Sequence, residues 1–262
     1  MQGQPQLLTV HSSSPVTFSL EINRNAVKSM GVNTISEMNL HRWTALRDNE
    51  IIELAKFLAQ KNQPSEILSL ALYEETQLEP VDIQPYSRLL KDRNSFFAQQ
   101  GELPDIHNRN LYAIGNNWPV GTSDQERAYC VLLERTLTLW SEGRPDYESR
   151  LALVSDYGAR LDRMGAHNFS FWDGEYLYAY SSNNEGEIHP LYFYQMEEKN
   201  LNFGDGHKLQ FDADSDTQIV VVTDVVLDVN SEINTIPPGA VACFRSGELL
   251  GLCEPVDFWT EE

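Results

Sequence analysis

The chain has 262 residues and a formal charge of −20, from 39 acidic and 19 basic side chains. Such a field opposes nucleic-acid phosphates and anionic membrane surfaces, and the sequence is read as having neither as a partner. Apolar residues at 41% and charged residues at 22% match ordinary globular usage, and no apolar run approaches the roughly 20 residues of a membrane span.

The acids are spread along the chain, with short clusters at 185–187 and 212–216, which suits solubility more than a binding patch. The opening MQGQPQLLTV lacks the basic stretch and long apolar segment of a secretory signal, so a cytoplasmic location is expected. Residues 6–10 and 15–20 read as short strands joined by a serine-rich turn, Ser12-Ser13-Ser14. Residues 49–61 place Ile51, Ile52, Leu54, Ala55 and Leu58 on one helical face. Residues 67–73 and 95–98 read as buried strands, the second running into Gln99-Gln100-Gly101.

Two helices are predicted next, over 124–139 and 147–164, with Gly143-Arg144-Pro145 between them as for an antiparallel pair. Beyond Gly165 the apolar period switches to two. Residues 167–171 and 176–181 form a predicted hairpin around Asp173-Gly174, and further strands fall at 218–222, 240–244 and 248–252. A two-residue turn at Ser246-Gly247 would set Cys243 opposite Leu250, away from Cys253. Cys130, Cys243 and Cys253 are read as reduced, mostly buried thiols, and the six histidines have no metal-ligand spacing. No metal or cofactor is expected. Strands, two adjacent helices and strands again imply one α+β domain spanning 1–262, with packed sheets and helices outside.

Pro119-Val120-Gly121-Thr122-Ser123-Asp124-Gln125-Glu126 opens the first long helix, with Ser123 or Asp124 as its cap. This motif, P-V-G-x-(S/T)-D-x-E before an amphipathic helix, resembles that of the stand-alone class II glutamine amidotransferases. The hairpin segment GAHNFSFWDGEYLYAY, and Ile236-Pro237-Pro238-Gly239 before a strand, are similar to further segments of that family. The resemblance implies the four-layer αββα sandwich of N-terminal-nucleophile hydrolases.

It also implies a chemistry whose residues are largely missing. The family's N-terminal cysteine, activated by its own α-amine, falls on Pro5. Its oxyanion-holding Asn-Gly falls on Gln100 and Gly101, where the longer glutamine displaces the amide. The arginine that clamps the substrate carboxylate falls on Tyr73, and a Gly-Trp loop expected between 25 and 50 has only His41-Arg42-Trp43 as a stand-in. The helix at 49–61 is read as having lost a preceding hairpin. Asp124 survives, aligned with the carboxylate that holds the substrate amine, although a helix-start role explains it as well.

The expectation is therefore a catalytically silent amidotransferase-like protein, a pseudoenzyme serving as an interaction or regulatory subunit with a protein partner. Two alternatives stand beside it. One is a binding module that uses Tyr73 and Asp124 to hold an amino-acid or γ-glutamyl ligand in the old cleft. The other is an active amidohydrolase with a different nucleophile; Cys130, on an apolar helix face, is a poor candidate.

Overall fold

Residues 6 to 21 form one continuous strand, β1 (Gln6–Glu21), where the sequence suggested two strands and a turn. The serines bridge the expected break. Ser12 Oγ donates to Ser14 O at 2.8 Å, and Ser13 N and Oγ both bond the backbone of Gln218 at 2.9 Å. The register on the neighbouring strand shifts between His11 and Val16, so the serine segment is a bulge within a strand. The computed structural model describes residues 4–254 apart from 24, 37–38, 62, 75–77, 109 and 187.

β2 (Ser29–Ser36) and β3 (Asn39–Ala45) pair antiparallel ahead of α1 (Asp48–Lys61). This corrects the expectation that a hairpin before that helix had been lost. β4 (Ser65–Tyr73), β5 (Tyr86–Leu90) and β6 (Arg93–Gln100) precede the helices α2 (Asp124–Leu139) and α3 (Tyr147–Leu161). Then come β7 (Asn168–Trp172), β8 (Leu177–Ser181), β9 (Tyr192–Gln195), β10 (Asn200–Phe203), β11 (His207–Asp212), β12 (Ile219–Thr223), β13 (Asn234–Thr235), β14 (Val241–Arg245) and β15 (Glu248–Cys253). No helix among the described residues is long and apolar enough to cross a membrane.

The strands make two sheets. One runs β13-β9-β12-β1-β4-β2-β3, with β11 also on β1 and β10 on β11; the other runs β15-β14-β8-β7-β6-β5. Strand alternation assigns the faces. Phe96 turns inward to meet Ile67, Trp172 and Val220 between the sheets, while its neighbour Phe97 packs outward against Tyr129 and Phe169. Helices α2 and α3 cover that outer face, joined by Tyr157 OH donating to Ala128 O at 2.7 Å. Helix α1 covers the other sheet through Ile51 and Leu54. The layers are helix, sheet, sheet, helix, as expected.

Two boundaries differ from the sequence reading. Helix α3 ends at Leu161, where Arg163 N and Met164 N bond the carbonyls three residues back, and the Asp162 carboxylate accepts from Tyr180 OH (2.5 Å), Ser182 Oγ and Asn183 N (3.2 Å). Cys243 pairs with Gly251, since a register shift follows it before Phe244 meets Leu249. All three cysteines are free, with Cys130 and Cys243 buried.

The β7–β8 turn is pinned from within. Asp173 Oδ1 accepts from the N–H groups of Glu175 (2.9 Å) and Tyr176 (2.8 Å), and Arg150 of α3 reaches its Oδ2 at 3.2 Å. Both partners of this ion pair are buried. Removing one side of a buried pair typically costs about 3–5 kcal/mol, because the other charge is left without compensation. Arg150→Met should therefore lower unfolding free energy by about that amount in urea titrations. Adding Asp173→Asn should recover part of the loss.

Candidate functional site

A cleft of about 200 Å³ lies where β4 and β6 end, lined in part by Gln4, Pro5, Tyr73, Asp82, Glu102 and Asp124. Pro5, Tyr73 and Asp124, singled out separately in the sequence, thus face one space. Gln100 and Gly101 stand directly behind it, bonded to Pro5 and Gln4. The stand-in segment His41-Arg42-Trp43 does not line the cleft. Arg42 instead donates to Ile83 O at 2.6 Å, and Trp43 stacks on His41 beneath Lys61.

Gln100 is the last residue of β6, and its side chain points to the N-terminal strand. Its Nε2 donates to Pro5 O at 2.8 Å and to Asp224 Oδ2 at 2.5 Å. The other oxygen of Asp224 accepts from Leu7 N at 2.6 Å. One carboxylate therefore ties the end of β12 to β1 and β6. Burial raises the Asp224 carboxyl from 3.8 to about 6, against the opposing effect of these hydrogen bonds.

Gly101 follows with φ +90°, and a Cβ there would lie 2.1 Å from Ala166 O, so only glycine fits. Its N–H is occupied within the chain: it donates to Oε1 of the Gln4 side chain at 2.7 Å. A carboxamide oxygen of the chain itself thus occupies this backbone donor.

Asp124 does not cap its helix. Ser123 does, accepting from Glu126 N at 3.1 Å. Glu126 Oε2 reaches back to Val120 N (2.9 Å) and Gly121 N (2.7 Å), while its Oε1 takes Arg88 Nη2 at 2.5 Å. The Asp124 carboxylate accepts from Leu103 N at 3.2 Å and pairs with His107 Nε2 at 2.8 Å, fastening the segment after Gly101. Asp82 is similarly engaged, accepting from Thr122 N (3.0 Å) and Ser123 N (3.2 Å). The Tyr73 hydroxyl accepts from Gln84 N at 3.0 Å, and burial pushes its ionisation well above the ordinary range.

Asp82, Glu102 and Asp124 put three carboxylates on the cleft wall, with no Lys or Arg among the described lining residues. Pro5 carries no nucleophile. Cys130 is fully buried, and burial pushes its thiol up, opposite to an activated cysteine. Sequence reasoning missed Gln4 and Asp224. The only signal for the latter was a lone acid directly after the apolar run Ile219–Thr223.

Comparison with known proteins places these features in a family. The profile of the family described as "Glutamine amidotransferases class-II" matches residues 53–261, beginning after the segment that holds Pro5. An uncharacterized protein of Methanocaldococcus jannaschii is 25% identical over 182 residues, 65% of this chain and 47% of that protein. Escherichia coli K12 YafJ, named as a candidate glutamine amidotransferase, is 29% identical over 100 residues, 38% of each chain. The matched regions thus span about half or less of these two relatives. The crystal structure of a predicted glutamine amidotransferase from Pseudomonas aeruginosa superimposes with a TM-score of 0.75 at 17% identity, covering 94% of this chain and 99% of that one. At that identity the likeness concerns the fold.

Asp224 provides a pH test. Its folded-state carboxyl is raised, so the folded chain holds this proton more tightly than the unfolded chain does. The contribution to stability is full below about pH 4 and falls as pH rises through about 6, by about 3 kcal/mol at most. Asp224→Asn should flatten this part of the profile, measured as the wild-type-minus-variant difference in unfolding free energy across that range.

Proposed function

Because this chain belongs to the class II glutamine amidotransferase family, we propose that it is a member whose glutamine-hydrolysing site has become a structural joint. On this reading it acts as a non-catalytic interaction or regulatory protein, a single domain over residues 1–262, located in the cytoplasm. The observation that carries the reading is the bond from Gly101 N–H to Gln4 Oε1. A substrate carboxamide would have to displace the chain's own.

Three further features support it. Position 5 offers no side-chain nucleophile, and its nitrogen is a tertiary amide acylated by Gln4, so it cannot act as the free amine base of an N-terminal nucleophile. The amide of Gln100 is turned onto Pro5 and Asp224, away from any reacting carbonyl. Loss of a single oxyanion donor typically costs about 10²–10³ in rate, and here both are otherwise engaged. Finally, the substrate's α-carboxylate would meet Asp82, Glu102 and Asp124 with Tyr73 in place of a cation. That same repulsion weighs against an amino-acid binding module in the old cleft, because an Arg–carboxylate pair is roughly twice as strong as a neutral bond.

The purified chain should release no ammonia from glutamine above the uncatalysed background. Pro5→Cys should remain inactive, since residue 4 still acylates its nitrogen. Turnover that persists after Cys130→Ala would refute the reading and require another nucleophile.

Binding is tested separately by thermal shift. A ligand at 100 times its Kd would stabilise the fold by about 2.7 kcal/mol, which such an assay detects. Millimolar glutamine or glutamate should produce no shift. A stabilisation abolished by Asp124→Ala would instead make the protein an amino-acid sensor.

A further inference from the structure

Both ends of the segment joining β6 to α2 line the cleft beside Pro5, through Glu102 and Thr122, and its later part leaves apolar side chains in solvent. Trp118 is 56% exposed and Val120 68%. Val81, in the short 3₁₀ turn Pro80–Asp82, is 40% exposed. Asp82, next to Val81, and Thr122, two residues beyond Val120, both face the cleft.

The turn and the segment are fastened together. Asp82 Oδ1 accepts from Thr122 N (3.0 Å) and Ser123 N (3.2 Å). A Cβ on Gly121 would lie 2.1 Å from that same oxygen, so glycine is what lets the segment come down onto the turn. The buried Glu126 carboxylate in turn holds Val120 N (2.9 Å) and Gly121 N (2.7 Å). Arg88 bonds both Glu126 Oε1 (2.5 Å) and Trp118 O (3.2 Å). The backbone that presents Trp118 and Val120 is therefore set in advance, and association does not have to order it.

Single exposed apolar residues are ordinary, whereas a group of them rimmed by polar surface marks a contact site. Tryptophan is among the residues most enriched where binding energy concentrates. Charge indicates what covers this rim. Asp82, Glu102 and Asp124 line the cleft behind it, with no Lys or Arg among the described lining residues. Of the basic side chains nearby, Arg88 is taken by Glu126 and His107 by Asp124. A second copy would bring another charge of −20 to the same place, so self-association is opposed. A basic partner is drawn in by the same field.

We propose that this rim and the cleft behind it dock a basic segment of a partner protein. An apolar side chain of that segment lies on Trp118, Val120 and Val81, and a neighbouring Lys or Arg enters the cleft toward Glu102. The proposal rests on the reading of the chain as a non-catalytic interaction protein, and it gives the partner a chemistry.

The test is selection of random linear dodecapeptides, displayed on phage, against the purified chain at physiological salt. Selected sequences are then titrated as labelled synthetic peptides by fluorescence anisotropy. Enriched peptides should pair an apolar residue with Lys or Arg within a few positions. Trp118→Ser and Val120→Ser should each weaken binding about tenfold or more, and Glu102→Gln about threefold. All three side chains are exposed, and an unchanged Tm checks that each variant is folded. Replacing the peptide's basic residue by Gln should remove most of the salt dependence of binding. The proposal is overturned if no peptide enriches, if the enriched peptides lack a basic residue, or if Trp118→Ser or Glu102→Gln binds them unchanged. Spermidine binding as tightly as the peptides also overturns it, since the apolar rim would then be idle. Ammonia release from glutamine, assayed on the same preparation, keeps the two readings apart. Turnover removes the silent-site reading, whereas absent peptide binding without turnover removes only the docking surface.

Discussion

The carboxylate of Asp224 is the contact on which the cleft end of the molecule depends. It sits at the end of β12, takes the backbone N–H of Leu7 from β1, and takes the side-chain amide of Gln100 from β6. β1 and β12 belong to one sheet and β6 to the other, so one side chain fixes the spacing between the layers. Burial without full neutralisation is tolerated because both oxygens receive donors. The segment from Gln4 to Leu7 is located by that same group, and with it everything that Gln4 and Pro5 do at the cleft.

A polar stripe runs through the layer behind this contact. Thr9 Oγ1 lies 3.1 Å from Ser69 Oγ and 3.3 Å from Ser170 Oγ, joining β1, β4 and β7 across the gap between sheets. Further along the inner face of β1 stands His11. An inner face with Leu7, Thr9 and His11 at alternate positions is less apolar than the outer one, which presents Leu8 and Val10. Helices need only apolar stripes beneath them. The layer between the sheets instead carries hydroxyls and amides that bond each other.

The elements that could be read from the sequence were those whose period was strong and whose ends were marked. Helix α2 announced itself through Ser123 and Glu126, and the β7–β8 hairpin through Asp173-Gly174. β3 was missed because it is an edge strand with mostly exposed or half-exposed residues, and His41 and Arg42 break its apolar pattern. The hairpin of β10 and β11 did carry a signal, with Leu201, Phe203, His207, Leu209 and Phe211 buried on either side of Gly204-Asp205-Gly206. Pro5, Tyr73, Gln100 and Asp124 were gathered only by resemblance to a family, and three of the four do face one cleft. What they bond there was not legible. The partner of Leu7 N lies 217 residues away, and no local pattern encodes such a contact.

The contacts of Gln4, Pro5, Gln100, Gly101 and Asp224 also bear on how this end of the molecule tolerates change. Gln100 bonds Pro5 and Asp224, and Gln4 closes on Gly101 N–H, so a single change at Gln100 or Asp224 leaves a buried polar group without its partner. Coupled positions of this kind do not add independently. Altering this joint without loss of stability would require several residues to change together, so selection for stability alone holds it in place.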